Sequence, residues 1–244
     1  FNIPLEYNFN NLIQEESQDL FNKFAKKSKE SSFIWFLKHR LKFNSIEFKL
    51  QRPDNLKKIF NILNQLNIDE INNSYDIIGT IYELHLRSGT SNAMRDLGQY
   101  YTHRIVIKFM IDLCKPKLNE VIIDPTAGTG GFLTMTIKYL EANYENINWD
   151  EQKKYLYGFD IDQNNCNMMR LNILLDTTKF FDTIITRDTL YTDIAIEDNP
   201  PLMADVLLAN EPMGLTNILH ALCCDRIKEL GVRGTKAEPL FLQL

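Results

Sequence analysis

Val121-Ile122-Ile123-Asp124-Pro125-Thr126-Ala127-Gly128-Thr129-Gly130-Gly131-Phe132-Leu133 decides how the rest of the chain reads. The β-branched apolar run reads as a buried parallel strand, and an acid closes it. A short glycine-rich turn follows, and Phe132-Leu133-Thr134-Met135-Thr136-Ile137 opens a helix. A strand–glycine turn–helix unit brings backbone N–H groups and a helix N-terminus close to a ligand. The spacing is not the dinucleotide G-x-G-x-x-G, because Gly131 and the bulky Phe132 follow Gly130. It is not a phosphate-binding P-loop, because no Gly-Lys-Ser/Thr follows.

Three more strands share this design. Tyr155-Leu156-Tyr157-Gly158-Phe159-Asp160 ends in an acid, with Asp162 as the nearby competitor. Phe181 to Ile185 leads into Arg187-Asp188-Thr189-Leu190, and Asp205 to Ala209 leads into Asn210-Glu211-Pro212-Met213-Gly214. Polar groups at strand C-terminal ends are where open α/β sheets bind ligands, and an acid there accepts hydrogen bonds from ribose hydroxyls. The helix from Asn164 to Asp176 carries Met168, Met169, Leu171, Leu174 and Leu175 and reads as core.

Ahead of the sheet, residues 1–88 read as an all-helical N-terminal domain, with residues 89–244 as the α/β domain. Helical spacing marks Glu15 to Lys29 (Leu20, Phe21, Phe24), Ser32 to Phe43, Asn55 to Leu66 after Pro53-Asp54, and Tyr75 to Leu86 capped by Ser74. Lys23, Lys26, Lys27, Lys29, Lys38, Arg40 and Lys42 form a basic cluster, read first as a solvated helix face and second as a phosphate-contacting surface. A chain of 244 residues can bury a substantial core. Its formal net charge of −5 argues against nucleic-acid binding through bulk charge. No apolar run reaches the ~18 residues of a membrane span. The four cysteines form no C-x-x-C pair, so reduced thiols in the cytoplasm and no metal site are expected.

Asp-Pro-x-x-Gly-x-Gly at 124–130 resembles the first motif of S-adenosylmethionine (AdoMet) methyltransferases that methylate DNA amines. Gly98-Gln99-Tyr100-Tyr101-Thr102-His103 resembles the Gly-Gln-Phe/Tyr-Tyr-Thr-Pro of type I modification subunits, with His103 in place of proline. Tyr75 to Glu83 resembles the same family's Asp-x-Leu-Gly-Asp-x-Tyr-Glu, and Arg187 to Leu190 its Gly-Asp-Thr-Leu. The likeness spans roughly residues 70–244. It implies a Rossmann-like α/β methyltransferase sheet, incomplete in these residues, that adds a methyl group to adenine N6 in DNA. AdoMet is the implied cofactor, held by Tyr100, Tyr101, Thr102, Asp124, Thr126, Gly128, Gly130, Asp160 and Asp188. Double-stranded DNA, a DNA-recognition (specificity) subunit and a second copy of the chain are the implied partners. Three further strands would close the open edge of a four-stranded sheet.

Asn210-Glu211-Pro212-Met213 stands where these enzymes carry Asn/Asp-Pro-Pro-Tyr/Phe. Asn210 keeps the side-chain acceptor for an amine N–H, and Glu211 keeps a backbone carbonyl without the stiffness of proline. Met213 replaces a base-stacking ring. Asn199-Pro200-Pro201-Leu202 is a rival tetrad, but it precedes the fourth strand and reads as a turn. A non-catalytic AdoMet-binding scaffold subunit and a protein-glutamine methyltransferase are the alternative readings.

Overall fold

Apolar faces at helical spacing bring two N-terminal helices together. In the computed structural model the described residues are 12, 14–27, 39, 51–65, 102–191, 204–216, 218–219, 223–229 and 236–241. The chain divides into two compact units, Phe1–Ser74 and Tyr75–Leu244. The expected boundary after residue 88 lies outside the described residues. So do the helices expected at 32–43 and 75–86, Tyr100, Tyr101 and the rival tetrad at 199–202.

In the first unit, α1 (Ser17–Lys27) packs against α2 (Pro53–Leu63). Pro53 takes the first helical turn, where its missing N–H costs nothing, and Asp54 lies in that turn. Leu20, Leu56 and Phe60 are buried. Lys23 pairs with the Glu15 carboxylate at 2.5 Å, so this member of the basic cluster already has an acidic partner.

The second unit holds a parallel sheet: β1 (Ile122–Asp124), β2 (Leu156–Asp160), β3 (Ile184–Thr186) and β4 (Val206–Leu207), in the order β3-β2-β1-β4. The connections carry α4 (Gly131–Asn143), α5 (Trp149–Gln152) and α6 (Gln163–Thr177), and α3 (Arg104–Cys114) precedes β1. Short helices α7 (Asp225–Glu229) and α8 (Ala237–Phe241) follow β4. Register pairs Ile122 with Leu156 and Val206, and Gly158 with Ile184, so these side chains share one face. Ile107 and Ile111 of α3 meet Ile122 and Leu208 there, and Leu133 of α4 with Met169 and Ile173 of α6 meets Leu156 and Ile184. The other face carries Ile123, Tyr157, Phe159 and Leu207, the last 51% exposed.

Two elements differ from the sequence reading. The third strand starts at Ile184 rather than Phe181, because Asp182 and Thr183 turn the chain and Phe181 packs 6.2 Å from the Trp149 ring. The buried stripe of α6 runs through Cys166, Met169 and Ile173, while Met168, Leu171 and Leu174 are half-buried. Polar Asn165, Asn167, Arg170 and Asn172 are buried instead, each with a hydrogen-bond partner.

Gly130 is the tightest point of the turn. Its φ is +88°, and an added Cβ would lie 2.4 Å from Met169 Cγ. Gly130→Ala combines left-handed strain with overpacking and should cost about 2–4 kcal/mol of stability. Urea unfolding of the two proteins checks this; an unchanged midpoint would contradict it.

Candidate active site

The four strand ends are tied together through the turn after β1. The Gly128 N–H donates to Asp160 Oδ2 at 2.9 Å, joining the β1 turn to the end of β2. Thr189 Oγ1, beyond β3, donates to the Pro125 carbonyl at 2.8 Å. Thr126 Oγ1 donates to the Asn210 carbonyl, beyond β4, at 3.2 Å. Asn172 of α6 donates to the Thr129 carbonyl at 3.3 Å. The turn is thereby held from β2, β3, β4 and α6.

Around this turn lies a cavity of about 610 Å³, within the range of small-molecule sites. Pro125, Thr126 and Gly128 of the turn line it, with Asp160 and Ile161 at the end of β2, Asn165 from α6, and Asp188 to Tyr191 beyond β3. Asn210 and Pro212 line it from the segment after β4, with Leu215, Ile218 and Phe241. A second hollow of about 50 Å³ opens on the other side of the turn, among Thr102, Arg104, Asp124, Gly128 and Asn210. Thr126, Gly128 and Asn210 line both.

Asp160 is more committed than its sequence position suggests. Besides Gly128, it accepts from the Asp162 N–H at 2.8 Å and from Asn165 Nδ2 at 3.2 Å. Burial raises its pKa, and these donors oppose the rise. Asp162, the competitor, caps α6 by accepting from the Asn164 N–H at 2.8 Å. Asp188 holds its own loop, accepting from the Leu190 N–H at 3.1 Å, and lines the large cavity. Met213 is 61% exposed beyond Pro212.

Asp124 is the most perturbed of these acids. Its Oδ1 accepts from the Thr126 N–H at 3.1 Å, while Oδ2 is buried with no hydrogen-bond partner beside the small hollow. Burial pushes its carboxyl up from 3.8 to about 8, the Thr126 N–H holds it back, and nearby Asp160 adds to the rise.

The structure brings together Thr102, Asp124, Thr126, Gly128, Asp160, Asp188, Asn210 and Pro212 at these two hollows. Gly130 shapes the turn without lining either. Arg104, Asn165, Asn172 and Thr189 escaped the sequence reading as site residues. Arg104 Nη1 donates to the Thr102 carbonyl at 3.1 Å, Asn165 grips Asp160 at the end of β2, and Asn172 and Thr189 reach across the fold to the turn after β1. His103, in place of proline, caps α3 by accepting from the Ile105 N–H at 3.3 Å.

A family model described as N-6 DNA methylase matches residues 73–232. The chain belongs to the N-6 DNA methylase family. It is 31% identical over 163 residues to the methylase subunit of the type I restriction enzyme EcoEI of Escherichia coli, covering 66% of this chain and 32% of that one. It is 29% identical over 185 residues to the StySPI methylase subunit of Salmonella potsdam, covering 70% and 34%. The chain therefore spans about a third of the length of these curated relatives. The methyltransferase subunit of a Streptococcus thermophilus type I restriction-modification system shares the fold, with a TM-score of 0.61 at 18% identity over all of this chain and 53% of that one. Among the described residues, no helix is long and apolar enough to cross a membrane, and no group of three or more His, Cys, Asp or Glu is placed to hold a metal ion.

Asp124 gives this site a pH signature. Between about pH 4 and about 8 its carboxyl is protonated when folded and ionised when unfolded. Unfolding then releases a proton, so stability falls as pH rises through that window; Asp160, also raised, acts in the same direction. Asp124→Asn removes the larger contribution while keeping an acceptor for the Thr126 N–H. The loss of stability between pH 5 and pH 8, measured by urea unfolding, should be smaller in the variant; an equal loss in both proteins would contradict the burial argument.

Proposed function

We propose that this chain carries the cofactor-binding and catalytic residues of an AdoMet-dependent DNA methyltransferase acting on adenine N6. The observation that carries this is Asn210: it lines both hollows, its backbone is bonded to the glycine turn, and Pro212 of the same segment lines the large cavity.

The residues present fit AdoMet. Asp160 at the end of β2 lines the large cavity and retains capacity to accept ribose hydroxyls, and Asp188, lining the same cavity, would lie beside the adenine as the family resemblance implies. The buried Asp124 Oδ2 suits the ligand's positive groups, and the Arg104 guanidinium on the same hollow suits its carboxylate. Thr102 lines that hollow too; Tyr100 and Tyr101, implied by resemblance, complete the proposed set. When bound, AdoMet supplies an electrophilic methyl group on its sulfonium.

An aromatic-ring amine is a poor nucleophile because its lone pair is delocalised into the ring. The Asn210 side-chain oxygen and the Glu211 carbonyl would accept its two N–H bonds and favour a pyramidal nitrogen. That interaction grows toward the transition state, which is what accelerates a reaction. The target base leaves the duplex to reach such a pocket. Met213, exposed next to cavity-lining Pro212, would offer its thioether to the base face in place of an aromatic ring. A specificity subunit would supply sequence recognition, consistent with relatives named as subunits and with a negative net charge.

Met213 and Glu211 also favour a second reading, an AdoMet-binding scaffold without turnover. Single-turnover transfer from methyl-labelled AdoMet to adenine-containing duplex, in the whole protein with its partner supplied, separates the two. Label should appear in N6-methyladenine, and Asn210→Ala should slow transfer by roughly 10²–10³ with AdoMet affinity nearly unchanged. Background transfer by wild type would favour the scaffold, and label in protein would favour glutamine methylation.

A further inference from the structure

We infer that Thr126 is a positioning residue for the methyl-accepting segment, its hydroxyl fixing the peptide plane between Asn210 and Glu211. This rests on the reading of Asn210 above and assigns Thr126 a task distinct from holding cofactor.

The last ladder bond between β1 and the β4 segment runs from the Leu208 N–H to the Ile123 carbonyl at 3.0 Å. Beyond it the chain leaves the sheet with three residues, 210–212, half-buried and Met213 exposed. Two bonds bracket this stretch: Thr126 Oγ1 to the Asn210 carbonyl at 3.2 Å, and the Gly214 N–H to Glu238 Oε1 at 2.8 Å. Thr126 is itself fixed, because its N–H donates to Asp124 and the preceding Pro125 carbonyl is held by buried Thr189.

A peptide group is planar, so holding the Asn210 carbonyl oxygen holds the whole Asn210–Glu211 unit. That restrains ψ of Asn210 and φ of Glu211. The two proposed acceptors, the Asn210 side chain and the Glu211 carbonyl, lie on either side of this plane and are aimed by those angles. A proline at 211 would fix φ through its ring. Glu211 has no ring, so the Thr126 hydroxyl supplies the restraint instead. The hydroxyl hydrogen goes to the Asn210 carbonyl, so its loss affects the accepting geometry more than cofactor affinity.

The test compares wild type, Thr126→Val and Thr126→Ser in the whole protein. Thr126→Val keeps shape and removes the donor; it should slow single-turnover methyl transfer about 10-fold while calorimetric AdoMet affinity stays within about threefold, the scale of one neutral hydrogen bond. Thr126→Ser restores the donor and should restore the rate. In a Glu211→Pro background the Thr126→Val cost should shrink, since the ring then fixes the same angle. Hydrogen exchange on the cofactor-free proteins provides a readout without activity: amides of 208–214 should exchange faster in Thr126→Val than in wild type or Thr126→Ser.

Weakened AdoMet binding at an unchanged rate would make Thr126 a cofactor ligand and overturn the inference. Failure of Thr126→Ser to rescue, additive costs with Glu211→Pro, or identical exchange in all three proteins would overturn it too. A wild type that transfers no methyl to DNA sinks the proposed function, and the exchange comparison still decides the restraint.

Discussion

The hydrogen bond from the Gly128 N–H to the Asp160 carboxylate is the contact on which the site depends. It ties the turn after β1 to the end of β2, and it requires a backbone that bends back through positive φ at Gly128 and Gly130. A carboxylate accepting backbone N–H groups is a strong acceptor, and here it is largely buried. Asp160 also accepts from Asp162 and Asn165, so one side chain organises the turn, the start of α6 and a wall of the cavity. Turn, strand end and helix start are thus tied together by hydrogen bonds of the chain itself.

Burial dominates the electrostatics of Asp124 at the end of β1, and the nearby Asp160 carboxylate adds to it. Asp124 answers by holding its proton to about pH 8, and its second oxygen has no hydrogen-bond partner. A cationic ligand beside this buried carboxyl would favour its ionised form and draw its pKa back down. The same turn reaches the opposite way, through Thr126, to the segment that would receive the methyl group. The turn that lines both hollows is thus bonded to the segment after β4.

Much of this was legible in the chain because strand ends announce themselves. An apolar run closed by Asp124, another closed by Asp160, and polar motifs at 187–190 and 210–213 placed the site at one edge of a parallel sheet, and the sheet has that arrangement. Side-chain reach across the fold was not legible. Asn165 and Asn172 sit in a helix whose apolar residues suggested plain core, and only the packing of α6 beside β2 turns them toward Asp160 and Thr129. Arg104 follows a motif but acts through its place under the turn. His103 looked like a departure from proline, yet it caps α3 with a side-chain nitrogen that proline lacks. The Leu171 and Leu174 assignment missed because buried polar residues share the stripe with Cys166, Met169 and Ile173.

A structure of the protein with AdoMet bound tests the central claim, that the glycine turn and its strand-end acids form a preformed cofactor cradle. The account predicts the ribose at Asp160, the cationic end of the ligand at Asp124, and turn backbone shifts within about 1 Å with the Gly128–Asp160 bond kept. Ligand seated away from Asp124 and Asp160, or a turn that refolds to admit it, would contradict the account.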